Sequence, residues 1–175
     1  MNAVWWARAA AFLSLVVGAV VTHADGGGDR LVDHVRFANG RFTDVAVAVA
    51  EGYAPASCAS GIDGGTMGIR YVNTNYLKDQ PVDVKRPQAV MYEPMPDGRL
   101  ALVAAQYITD GPASLEGQLF NFVGAPNRYG LEPFYELSVW AWKANPRGTF
   151  ADMNPGVTCD DVKVRVDAPL VFDLD

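Results

Sequence analysis

The side chains that could do chemistry in this chain are a few carboxylates, one arginine and one serine. Glu93 closes the apolar run AVMYE, Glu136 and Ser138 fall inside FYELSVWAWKANP (134–146), Asp152 lies in NPRGTFADMNPGVTC, and Arg70 interrupts MGIRYVN. Two carboxylates held at a set separation can share acid and base roles in hydrolysis. An arginine beside them can stabilise negative charge as it develops. Histidine is nearly missing: the chain has 2, and only His34 lies beyond the expected signal segment, residues 1–24. A His-rich metal site is thereby excluded, and no metal or cofactor is expected. His34 falls at the polar border of a helical apolar stripe, an ordinary place for a half-exposed side chain. No GxSxG, HExxH, GxxxxGK[ST] or CxxC motif occurs. The glycine cluster GIDGGTMG (61–68) follows a helix and leads into a strand. A phosphate-binding turn needs the opposite context, so these glycines read as a loop.

Alternation along the opening stretch sorts its residues. Phe134, Glu136, Ser138, Trp140 and Trp142 share one strand face, and Tyr135, Leu137, Val139, Ala141 and Lys143 share the other. The Leu-Val-Ala face suits packing against a helix. The other face combines aromatic walls with few polar groups, the usual composition of a small-ligand site. The competing reading covers both tryptophans with the 110–131 or 144–158 loops and makes them core. Arg70, Glu136, Ser138, Trp140 and Trp142 are the candidate ligand-binding residues, and no catalytic residue is assigned.

The elements that must position these groups follow from periodicity. Asp29 is placed as an N-cap, apolar residues recur at 31, 35, 38, 42, 45 and 49, and Gly52 follows as a stop, which predicts one long helix. Residues 54–67 read as loop, Ile69–Asn73 as a short strand, and 89–93 with 99–109 as a hairpin around Pro96-Asp97-Gly98. Residues 110–131 form a long connection, Phe134–Lys143 a strand, and Asp161–Asp167 a half-exposed strand. The expected fold class is α+β: one long N-terminal amphipathic helix packed on a mostly antiparallel β-sheet, with long loops and one disulfide.

Arg8, the apolar run from Ala9 to Val21 and the small residue Ala24 have the order of a secretory signal peptide over residues 1–24, leaving 25–175 as a single domain. A retained signal anchor is the competing reading; cleavage would leave no stable membrane anchor. Export, periplasmic or secreted, puts Cys58 and Cys159 in an oxidising compartment, where two cysteines read as one disulfide. Closing a loop of about 100 residues contributes up to ~4.7 kcal/mol by chain entropy. A formal charge of −6 argues against nucleic acid or anionic membrane as a partner.

The segments FTDVAVAVAEGY (42–53), MGIRYVN (67–73), AVMYEPMPDGRLALVAAQYI (89–108) and LSVWAWKANPRGTFADMNPGVTC (137–159) resemble a family of uncharacterised exported bacterial proteins. The resemblance implies an exported location and a shared fold, and no activity. Its members often carry histidine at the positions of Arg70 and Ser138, where two strands could hold a metal; this chain lacks both histidines. Three functions follow as expectations. The first is a non-enzymatic module binding an unknown small molecule or partner protein; the second is an extracytoplasmic hydrolase using Glu136 and Glu93 with Arg70. The third is a structural envelope component.

Overall fold

The computed structural model describes residues 26–61, 64–127, 129 and 131–160. The expected signal segment and the strand at Asp161–Asp167 lie outside them.

The N-terminal apolar stripe folds as predicted only at its start. Helix α1 (Gly26–Asn39) buries Leu31 and Val35, with Asp29 inside its first turn rather than at its cap. The chain then tightens into a 3-10 turn (Gly40–Thr43) and restarts as α2 (Val45–Ala50). The single long helix is therefore corrected to two helices and a turn. The physical cause is local. Gly40 weakens the helix interior, and the Asp44 carboxylate accepts a hydrogen bond from Ala46 N at 2.9 Å, capping a new helix. After this break the buried positions shift: Phe42 and Ala48 are buried, while Val49 is exposed. Gly52 does stop the second helix, with φ +90°.

The chain then forms six antiparallel strands in the order β1-β2-β3-β4-β8-β7. They are β1 (Tyr53–Ser60), β2 (Thr66–Asn73), β3 (Ala89–Pro94), β4 (Leu100–Thr109), β7 (Asn121–Val123) and β8 (Phe134–Val139). The expected hairpin is β3–β4, turning at Pro96-Asp97-Gly98. The span read as loop from residue 54 contains β1, paired along β2. The connection read between 110 and 131 contains a short hairpin, β5 (Ser114–Leu115) with β6 (Gln118–Leu119), and then β7. A short helix, α3 (Thr74–Asp79), links β2 to the segment before β3, with Asn73 accepting from Tyr76 N.

One face of the sheet is covered by the helical layer. Leu31 and Val35 pack on Tyr107, Leu137 and Val139, while Phe42 and Ala48 pack on Ile69, Tyr71, Val90 and Tyr92. Three tyrosine hydroxyls fasten this layer and the segment before β3 to the sheet. Tyr92 donates to Phe42 O at 2.7 Å, Tyr53 to Pro87 O at 2.7 Å and Tyr107 to Val84 O at 2.8 Å. Burial disfavours each phenolate and pushes all three hydroxyls above the ordinary tyrosine range.

The opposite face is covered by the chain after β8. Trp140, Met153 and Val157 pack there on Met67, Met91 and Ala104. The Cys58–Cys159 disulfide ties the end of this segment to β1, as expected. Among the described residues, no helix is long and apolar enough to cross a membrane.

Candidate functional site

Register places a polar patch on the face opposite the helices. Gln106 stands directly across from Ser138, and Ile108 across from Glu136, in the β4–β8 pair. Arg70 faces Met91, which faces Ala104, so Arg70 joins the same face from β2. All four polar residues are buried: Gln106 is 0% exposed, Ser138 2%, Glu136 5% and Arg70 6%.

Gln106 Nε2 donates to Glu136 Oε2 at 2.7 Å. This bond fixes the amide, because the flipped orientation would bring Oε1 against a carboxylate oxygen. Gln106 Oε1 is then presented as an acceptor, yet it has no hydrogen-bond partner among the described residues, and neither do Ser138 Oγ and Arg70 Nε. Leaving a buried polar atom unmatched costs about 1–3 kcal/mol. Three such atoms on one sheet face are an accumulation that a purely structural core avoids.

Arg70 carries the largest cost. Its guanidinium lies over the Tyr129 ring, 4.3 Å from the centroid. No ion pair holds it among the described residues. A desolvated cation–π contact contributes ~2 kcal/mol, whereas burying an ion costs several kcal/mol. Tyr129 also packs on Phe134, with centroids 5.6 Å apart, and its hydroxyl donates to Met67 Sδ at 3.1 Å. Its ring thus roofs the patch from β2 across to β8.

A cleft of about 590 Å³ opens beside this patch, with Glu136 and Asp152 in its wall together with Ser60, Gly61, Asn121 and Asn127. Asn127 shapes the adjoining loop: its Oδ1 accepts from Tyr129 N and Leu131 N, and its Nδ2 donates to Leu131 O.

The structure divides the sequence-predicted residues. Arg70, Glu136 and Ser138 come together. Trp140 shares their face but is core: it is 3% exposed, and its Nε1 donates to Ala151 O at 2.7 Å. Trp142 goes elsewhere, packing with the helix-side clusters. The reason is that β8 stops at Val139. Ala141 N then bonds Val139 O and Trp142 N bonds Val103 O, so strand alternation no longer applies. An aromatic wall built from both tryptophans is therefore corrected to a patch roofed by Tyr129.

Glu93 is held by Lys143 Nζ at 2.6 and 2.8 Å. It pairs with Ala101 of β4, whereas Glu136 pairs with Ile108 of the same strand. At ~3.3 Å per residue the two carboxylates sit roughly 20 Å apart along the sheet, beyond the ~5–9.5 Å of paired catalytic carboxyls. His34 lies on the helical side, exposed, with Nδ1 2.6 Å from Glu116 Oε1. No group of three metal-ligating side chains occurs among the described residues.

Sequence reasoning missed Gln106 and Tyr129. Gln106 had a readable signal, being the only side chain with amide chemistry in the apolar run LALVAAQYI. Tyr129 had none, since a loop gives no period from which to place a side chain. A scan against protein-family models and searches of curated proteins and of solved structures return no match.

Proposed function

We propose that this chain is an exported, periplasmic or secreted, non-enzymatic module that binds a small polar molecule on the sheet face opposite its helices. The observation that carries this reading is the gathering of Arg70 Nε, Gln106 Oε1 and Ser138 Oγ, buried and unmatched, on one face beside a cleft. Polar groups converging next to a cleft are the usual form of a small-ligand site. The disulfide suits an oxidising compartment, and the apolar N-terminal run supplies the means of export.

The hydrolytic alternative loses its Glu93–Glu136 pair to the sheet register. It keeps one supporting observation, since Glu136 and Asp152 share the cleft wall. Binding without turnover accords better with a patch whose unmatched groups include an arginine, an amide and a serine whose Oγ has no hydrogen-bond partner among the described residues.

Native mass spectrometry of the protein purified from its own host, followed by amide chemical-shift mapping with a mixed-charge compound library, tests the reading. Shifts should concentrate at residues 104–108 and 136–139, around Gly61 and at Asp152. Shifts confined to the His34–Glu116 surface, or none with any compound, would contradict it.

A further inference from the structure

We infer that the ligand is a small monocarboxylic acid that also carries a hydroxyl or N–H donor, its carboxylate held by Arg70 and its donor by Gln106 Oε1 and Ser138. This inference rests on the binding reading above and specifies its chemistry.

The guanidinium charge of Arg70 is buried, and only an anion can balance it. Among the described residues it has no ion pair and no hydrogen bond from Nε. Its guanidinium lies over the Tyr129 ring. A ring offers no lone pair to an N–H donor, so the guanidinium fork keeps its capacity for a planar acceptor. A carboxylate matches that fork with two parallel hydrogen bonds. The side chain also extends toward the right place. Tyr129 touches both the Arg70 guanidinium and the Phe134 ring, so the charge is carried across the face toward β8, where Glu136 and Ser138 rise.

The second half of the ligand follows from Gln106. Glu136 holds Gln106 Nε2, which leaves the buried Oε1 as the free acceptor, and Ser138 stands directly across the strand pair. An acceptor beside a hydroxyl recognises a donor, such as the hydroxyl of a 2-hydroxy acid or the N–H of an N-acyl amino acid. One buried positive charge is balanced by one negative charge, which selects a monocarboxylate over the more highly charged inorganic phosphate.

Titration calorimetry with L-lactate, N-acetyl-L-alanine, lactamide, acetate and inorganic phosphate tests this. At least one of the two donor-bearing carboxylates should bind saturably, at least tenfold tighter than lactamide, acetate or phosphate. Arg70→Lys should weaken that binding at least tenfold, and Arg70→Met should abolish it. Where a variant fails to fold, the wild-type Arg70 Nε–Hε resonance decides, and it should move as the carboxylate saturates. Equal affinity for lactate and lactamide, binding indifferent to both Arg70 substitutions, an unmoved Arg70 resonance at saturation, or no binding of either carboxylate would overturn the inference. A neutral compound bound at 104–108 and 136–139 would leave the binding reading standing and sink this one. No small molecule bound at all would remove both.

Discussion

Arg70 reaches the polar face because of what precedes it. Gly68 has φ +72°, and a Cβ built there would lie 2.3 Å from Tyr92 O, so β2 approaches β3 at a distance only glycine permits. The same residue lets the strand absorb the register shift between Ala59 and Ser60 of its partner β1. Gly68→Ala should therefore destabilise the fold by about 2 kcal/mol or more, combining left-handed strain with a backbone collision. Urea denaturation measures this directly, and a change under ~0.5 kcal/mol would show that the approach is not needed. At this scale the sequence was partly legible. Arg70, Glu136 and Ser138 stood out as polar groups in apolar runs. Trp142 was misplaced, because nothing local to WAWK announces that the strand ends at Val139.

Elements were legible where a period ran unbroken and obscure where capping or pairing overrode it. The β3–β4 hairpin follows from two apolar runs about a turn signal. Strand β1, with the sequence YAPASCAS, has the composition of a loop and is a strand through its pairing with β2. The helix break at Gly40–Asp44 turned on a cap that also fits the interior of an apolar stripe. Between these helices and the sheet, Tyr53, Tyr92 and Tyr107 form the fastening, and burial raises the pKa of each. A group whose folded value lies above its unfolded one, ~10 for tyrosine, contributes its stability fully below pH 10. That contribution is lost as pH rises through the higher folded values. Absorbance at 295 nm should accordingly show a group of tyrosines that ionise only together with loss of the near-ultraviolet circular dichroism. Smooth ionisation of every tyrosine near pH 10 with the fold retained would show that these hydroxyls are not buried fastenings.

Over the whole molecule the sheet has two unlike sides. The helical side is apolar and closed by hydrogen-bonded tyrosines; Asn39 donates to Val35 O and Val84 O there, and its Oδ1 is the one unmatched buried side-chain atom on that side among the described residues. The other side is apolar around Trp140 but polar and unmatched around Arg70, Gln106 and Ser138. The α+β class and the Cys58–Cys159 link were readable from composition, hairpin signals and cysteine count. The polar patch was not, because it needs the registers of three strand pairs at once. On the proposed reading, such a face gives up stability in the free protein in return for binding. The stability of ligand-free Arg70→Met against wild type, by urea denaturation, therefore tests the binding role most directly. Removing a buried, unpaired charge in favour of an apolar side chain should leave the protein equally stable or raise it by about 1 kcal/mol or more. A loss of about 3 kcal/mol or more would show that Arg70 is half of a structural contact, and the face would then be core rather than site.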